Sequence, residues 1–433
     1  MENKKEKNLD QKSFYTNSLS LCIIAYFFYG FISDENSAGA GPYDFELIWS
    51  NLVLIKESIL INLDNQLYND SRPPLSYIVH ALFNPLSNSK ESFRLSVLFI
   101  SCLVPILFFF IMKKKYPLLR KDLIIFLTCI ITLSPYFRTS AYWGLGENYG
   151  LIFLLSSYLI FLKLEDLNNN NLLNKRIFLI FIICFFSSLC VYFDQKLIFV
   201  PLFFLFLILE LDIELRSKVL TIIFYFIFSI PFLYLIYLWG NILPPSASSS
   251  RYVGQKIHLY HIGYCLTIIA FYITPFLIFL KIKTTHLKKE FLTKKFLYLS
   301  AIFFMYILIL ILFSDFSNLP KLGKGFVHKF LILIFDNVNL RFLFTLISFF
   351  LAFIVIFIFF KGKLSKFFVI FFLILSIFTY PFQQEYLDPL IYLLVFTLFD
   401  KKLVITYNKS YLLALFFLIF SITSKIYYNI TLA

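Results

Sequence analysis

Residues 342–360 read FLFTLISFFLAFIVIFIFF, an uncharged run between Arg341 and Lys361. At ~1.5 Å per residue a helix of this run is ~29 Å long, matching the ~30 Å hydrocarbon layer of a bilayer. The run does not alternate as a barrel strand would, and in lipid its backbone groups must bond within the segment, which requires a helix. Comparable runs recur from end to end. Across 433 residues, 60% are hydrophobic and only 15% charged, with a mean hydropathy of +0.80. That leaves too little polar surface to coat a soluble core of this size. The expected fold is all-α: a polytopic transmembrane helical bundle, forming a single membrane domain over residues 1–433.

Hydropathy and the polar breaks give about thirteen spans. They cover residues 14–32, 93–112, 123–142, 149–162, 177–193, 197–211, 219–239 and 262–280, with further starts near 296, 342, 367, 389 and 411. Most of the 39 basic residues fall in alternate breaks. Lys4, Lys5, Lys7 and Lys12 form one cluster, and Lys113, Lys114, Lys115, Arg120 and Lys121 the next. Lys163, Lys175 and Arg176 follow, then Arg216 and Lys218. The densest cluster is Lys281, Lys283, Lys288, Lys289, Lys294 and Lys295; Lys361, Lys363, Lys366 and then Lys401, Lys402, Lys409 complete the series. By the positive-inside rule these loops and the N-terminus are cytoplasmic.

The net charge of +14 therefore sits in short juxtamembrane loops, which argues against nucleic acid as a partner and for lipid headgroups. The first span is read as retained, without a small-residue cleavage site directly after its apolar run. All six cysteines lie in apolar stretches without CxxC spacing and read as small buried hydrophobes. No GxGxxG or GxxxxGK[ST] occurs, so nucleotide-driven chemistry by this chain is not expected, and no cofactor is expected.

The cytoplasmic breaks are too short for a folded domain; Asn168 to Asn171 reads as a flexible connector. The long break, residues 33–92, is the first external loop, and long loops are where function gathers. Within it Leu47, Ile48, Leu52, Ile55, Ile59 and Leu60 recur at helical spacing, predicting an amphipathic helix on the membrane surface. Asn69-Asp70-Ser71 and Pro73-Pro74 then break the chain before the apolar stretch 75–82.

Acids and amides collect in four of the predicted external turns. Asp34-Glu35 directly follows the first span, within reach of a headgroup, where a carboxylate can act as base toward an acceptor hydroxyl; the same pair also reads as a solvated helix end. Glu147 shares a short turn with Arg138, and charges so near the membrane either pair with each other or serve a function. Asp194-Gln195-Lys196 and Gln383-Gln384-Glu385-Tyr386-Leu387-Asp388 are the other two turns. Their convergence predicts a polar cavity.

The ordered series Asp34-Glu35, Arg72-Pro73-Pro74-Leu75, Phe93-Arg94-Leu95-Ser96 and Ser134-Pro135 to Glu147-Asn148 resembles the N-terminal half of C-fold (GT-C) membrane glycosyltransferases. The protein mannosyltransferase and aminoarabinose transferase types are the nearest in pattern. The resemblance covers about the first 165 residues; beyond it, only the turn before Pro389 looks similar. It implies transfer of a sugar from a polyprenyl-phosphate carrier to a glycan, lipid or protein acceptor at the extracytoplasmic face. Asp34 would match the catalytic base, with Glu35 and Glu147 as further candidate carboxylates. Arg72 would match the basic residue near the donor phosphate. Some members carry a metal-binding carboxylate just before that residue, whereas this chain has Ser71, so no metal is expected.

The residues support the same chemistry without the analogy. A lipid phosphate is a good leaving group that needs positive charge, and a guanidinium matches phosphate with two bonds. Arg72, Arg94 and Arg138 are the candidate donor-binding cations, with Arg251, Lys321 and Lys324 behind them; Gln384 and Glu385 are candidate substrate contacts. His80, His258, His261, His286 and His328 show no metal-ligand spacing and read as structural. Two other classes remain. A transporter or flippase would show internal repeats and midplane charges, and a polysaccharide polymerase or ligase would place its large external loop late in the chain.

The orientation is testable by labelling. A cysteine at Asn65 should react with an impermeant thiol reagent added outside, and one at Lys288 should not; the reverse pattern would invert every assignment of face made above.

Overall fold

The computed structural model describes residues 2–59, 63, 68, 70–167, 173–244, 252–254, 256–281, 290–313, 324–399 and 403–432. The labelling positions Asn65 and Lys288, the connector 168–171, the candidate cations Arg251 and Lys321, His286, and Lys283, Lys289, Lys401 and Lys402 lie outside the described residues. Helices dominate the chain. Among the described residues nine are long and apolar enough to cross a bilayer, which makes this an all-α membrane protein.

The chain divides into two compact units, residues 1–250 with 414–433, and residues 251–413. The first unit opens with α1 (Glu2–Ile32), followed by α2 (Gly41–Glu57), α3 (Leu75–Phe83), α4 (Lys90–Ser101) and α5 (Leu103–Lys115). The last two form one membrane-length stretch, Lys90–Lys115. Next come α6 (Lys121–Ile130), α7 (Pro135–Trp143), α8 (Glu147–Glu165), α9 (Leu173–Phe193), α10 (Phe199–Glu210) and α11 (Leu215–Trp239). The second unit contains α12 (Tyr260–Ile273), α13 (Lys294–Phe313), α14 (Gly325–Ile334), α15 (Val338–Phe359), α16 (Lys363–Phe378) and α17 (Leu390–Phe396). Among the described residues a small sheet pairs β1 (Tyr252–Val253) antiparallel to β2 (Thr379–Tyr380), with Tyr252 opposite Tyr380. The final helix, α18 (Tyr407–Leu432), carries the chain back into the first unit.

Four expected spans take another form, each for a physical reason. The run 123–142 is broken: Pro135 cannot continue a helix, Ser134 caps the next one by accepting the Phe137 N–H, and the two pieces bend by 71°. The expected crossings at 197–211 and near 389 are the twelve-residue α10 and the seven-residue α17. At ~1.5 Å per residue these reach only ~18 and ~10 Å. The one near 367 is the sixteen-residue α16.

The amphipathic helix exists as α2, but its apolar stripe faces protein. Phe45, Ile48, Leu52 and Ile55 are buried, and the helix packs on α3 and α7. Leu47 is half-buried and Leu60 lies outside the described residues. A surface helix lying on lipid would have left that stripe uncovered by protein.

The site depends on α7. Eight of the nine residues of this helix, Pro135–Trp143, are buried, Tyr136 being half-buried. Gly144 ends it at φ +77, and a Cβ there would press on the Phe93 ring, so only glycine turns the chain without displacing that packing. The reversal brings Glu147 to the first turn of α8, where the helix dipole favours a negative charge.

Candidate active site

Asp34 and Glu35 are neighbours in sequence with opposite surroundings. The end of α1 is closed by two backbone bonds: Glu35 N–H donates to Gly30 O at 2.9 Å and Asp34 N–H to Phe31 O at 3.2 Å. This is a Schellman closure, and Asp34 occupies the left-handed position (φ +50) where glycine is the usual residue. The turn points one carboxylate into the protein and the other out of it.

Glu35 is 0% exposed and pairs with Arg138, also 0% exposed. One edge of the guanidinium makes a two-bond fork: Nε donates to Oε1 and Nη2 to Oε2, each at 2.7 Å. Arg138 also donates to the carbonyls of Thr132 and Tyr26, at 3.2 Å each, and lies 4.1 Å from the Tyr26 ring centre. Lys425, from α18, approaches Glu35 Oε2 at 3.4 Å. Burial pushes the Glu35 carboxyl up, but the hydrogen bonds and charge of Arg138, helped by Lys425, outweigh it and hold the group below the usual carboxylate value of 4.5. The following residues are stapled to the same helix. Ser37 Oγ donates to Pro135 O at 3.1 Å, Ala38 N–H to Thr139 Oγ1 at 3.1 Å, and Trp143 Nε1 to Glu35 O at 2.9 Å.

Two sequence expectations change here. The partner of Arg138 is Glu35 and not Glu147, although Glu147 is nearer in sequence. Arg138 and Glu35 are also committed to each other inside the protein, so neither presents a free group to a substrate.

Asp34 is 64% exposed and accepts from Arg94 Nη2 at 2.7 Å. Arg94 is fixed twice more: Nε donates to Tyr142 O at 2.9 Å, and the guanidinium lies 4.0 Å from the Trp143 ring centre. Among the described residues its Nη1 bonds nothing. Arg94 is thus a held cation with a spare donor beside a held carboxylate.

A second cluster surrounds Glu147. Arg72 Nε lies 3.4 Å from Glu147 Oε1, and Arg72 Nη1 3.5 Å from Asp70 Oδ2. Lys196 Nζ lies 3.6 Å from Glu147 Oε1 and 3.3 Å from Asp194 Oδ2. Ser140, on α7, donates to Glu147 Oε2 at 3.3 Å, and Tyr77 donates to Asp70 Oδ2. Gln195 donates to Ser71 O at 2.7 Å, tying the two loops together. Three acids face two bases. Burial pushes the Asp194 carboxyl above its usual range; Lys196 pulls it back and the Glu147 charge pushes it further up. Sequence reading singled out Arg72 and Glu147 but not Asp70, Asp194 and Lys196 as their partners. The available signal was the Asp194-Gln195-Lys196 break directly after an apolar run.

His80 is structural. Its ring nitrogens meet Tyr149 Oη at 2.7 Å and Asn84 Nδ2 at 2.9 Å, and burial pushes its pKa down to about 4. In the second unit, buried Gln384 accepts from Phe326 N–H at 2.5 Å and donates to Tyr272 Oη at 2.8 Å, so it secures the start of α14. Glu385 is half-buried on the turn Gln384–Tyr386. Lys324 caps α14 in a left-handed conformation (φ +68), 2% exposed, its Nζ 5.5 Å from the Tyr264 ring centre. No acid among the described residues pairs with it; burial, then the charge of Arg341, lowers its pKa to about 8. Among the described residues no three His, Cys, Asp or Glu side chains gather closely enough to hold a metal ion.

Comparison with known proteins found no matching family model, no similar curated protein and no similar solved structure.

Glu35→Gln should lower stability by about 3–5 kcal/mol, the cost of stranding a buried charge, read as a fall in melting temperature in detergent. Glu35→Leu combined with Arg138→Met should recover much of it. The carboxyl is depressed in the fold, so its contribution is complete above pH 4.5 and is lost as pH falls from there through the lower folded value. An unchanged melting temperature in Glu35→Gln would remove this pair from its structural role.

Proposed function

We propose that this chain is a C-fold membrane glycosyltransferase. It transfers a sugar from a polyprenyl-phosphate carrier to a glycan, lipid or protein acceptor at the extracytoplasmic face. In this reading the N-terminus is cytoplasmic and the nine membrane-length helices among the described residues, with the bent pair around Ser134 as a tenth at most, carry the chain across the bilayer. The observation that carries the proposal is Asp34.

Three features of Asp34 run against local preference. It is not glycine at a left-handed position, it carries negative charge at a helix C-terminus, and it is largely exposed where a headgroup would lie. Backbone strain and unfavourable charge persist where the surrounding structure imposes them, and such positions cluster at functional sites. Here Arg94 and the Glu35–Arg138 anchor do the imposing.

The step is a substitution at the anomeric carbon. The acceptor hydroxyl gives its proton to the Asp34 carboxylate, and its oxygen forms a bond to the sugar carbon. The bond from that carbon to the carrier phosphate oxygen breaks, and the electron pair leaves with the lipid phosphate. The proton then passes from Asp34 to water. Arg94, with a spare Nη1, is suited to the phosphate, and Arg72 is the second candidate. Arg138 is the least accessible of the three candidates, with four of its five N–H groups bonded to Glu35 and to the carbonyls of Thr132 and Tyr26. Glu147 and its partners form a charged, hydrogen-bonding wall suited to sugar hydroxyls.

The carrier chain also has a suitable setting. A groove of ≈ 390 Å³ in the first unit is lined by Ile24, Phe28, Pro105, Ile106, Phe109 and Phe110, and reaches Thr132 and Phe137 beside Arg138. Its apolar wall matches a hydrocarbon chain.

Asp34→Asn keeps the size and tolerates the left-handed backbone but cannot take a proton. Transfer should fall by ~10²–10⁴-fold while donor binding survives. Arg72→Ala and Arg94→Ala should weaken donor binding by roughly 10- to 150-fold, the value of charge-assisted phosphate contacts. Full transfer by Asp34→Asn, with Glu147→Gln inactive, would move the base to the second cluster; unchanged donor affinity in both arginine variants would move the phosphate elsewhere.

A further inference from the structure

The second unit contains a larger groove that the proposed reaction does not use. It measures ≈ 690 Å³ and runs between α12, α13, α15 and α16. Its walls are hydrocarbon: Leu266, Ile302, Phe303, Phe353, Ile356 and Leu373 are typical. Its charges all belong to one end. There Glu290 and Lys361 pair at 2.9 Å, which cancels both. Lys295 and Lys366 remain, both exposed and with no acid paired to them among the described residues. Toward the other end Tyr306 bridges the backbone, its hydroxyl accepting the Gly263 N–H at 2.9 Å and donating to Leu259 O at 3.1 Å.

The length is informative. Lys295 and Tyr306 are separated by eleven residues of α13, or ~16 Å of helix. That is about half of the ~30 Å hydrocarbon layer, the depth of one leaflet. A leaflet-deep apolar groove with two unpaired lysines at its mouth has the proportions of a single membrane lipid carrying negative charge.

We propose that this groove binds one anionic phospholipid of the surrounding bilayer, its acyl chain along α13 and its phosphate between Lys295 and Lys366. The positive-inside orientation makes this the cytoplasmic leaflet, where anionic lipids concentrate. The site does not rest on the glycosyltransferase reading, and its test measures lipid binding without transfer.

The full chain, purified in detergent, is offered equal amounts of phosphatidylglycerol and phosphatidylcholine with identical acyl chains, and bound lipid is counted by native mass spectrometry. Phosphatidylglycerol should be preferred by about 30-fold, roughly fivefold for each lysine at a membrane surface. Lys295→Gln combined with Lys366→Gln should abolish that preference while leaving phosphatidylcholine binding intact. Leu373→Trp, which fills the groove, should lower binding of both lipids. Equal binding by the wild type, or a preference that survives the double substitution, would overturn the proposal. So would a Leu373→Trp protein that still binds as well, or a polyprenyl phosphate that displaces phosphatidylglycerol at equal concentration.

Discussion

The geometry of the first unit depends on one ion pair. Glu35 and Arg138 are wholly buried and joined by two bonds of 2.7 Å, across 103 residues of sequence. An unpaired charge in that position would cost several kcal/mol, so the two must find each other for the unit to fold. Their pairing fixes the end of α1 against α7. The staples from Ser37, Ala38 and Trp143 follow the same seam, and Lys425 brings the last helix to it. Such a pair contributes little net stability compared with apolar side chains of similar volume, but it specifies which surfaces meet.

The functional candidates are positioned by that seam. Tyr142 and Trp143, at the end of α7, supply the carbonyl and the ring that hold Arg94. Arg94 in turn holds Asp34. Ser140, on the same helix, reaches Glu147. A nine-residue buried helix thus organises two charged clusters, one exposed and one largely enclosed. The adjacent acids Asp34 and Glu35 divide the work: the inward one anchors, and the outward one is available.

Much of this architecture is legible in the sequence because lipid imposes a simple rule: an uncharged run of about 20 residues becomes a helix. Runs such as Leu215–Trp239 and Val338–Phe359 obey it directly. The rule fails where a local breaker interrupts the run, as Pro135 does, or where a short apolar helix is covered by protein, as α17 is. It also cannot tell which side an amphipathic stripe faces, and α2 turned toward protein. The site was partly legible. Asp34, Arg72, Arg94 and Glu147 stand out as charges beside apolar runs, but pairing is a three-dimensional fact. Arg138 is closer in chain to Glu147 than to Glu35, yet it bonds the distant acid. Asp70, Asp194 and Lys196 needed the folded loops to be seen as one cluster with Arg72.

A held carboxylate at a helix end, a held guanidinium with a free donor and an apolar groove in the same unit are the parts that a lipid-phosphate sugar transfer requires. The most direct measurement is release of the carrier. Purified protein in lipid nanodiscs is incubated with a panel of polyprenyl-phosphate sugars and candidate acceptors, and free polyprenyl phosphate is quantified. At least one donor should be consumed, releasing polyprenyl phosphate and conjugated sugar in equal amounts. Consumption of none of the phosphate-linked donors, by protein that binds them, would contradict it.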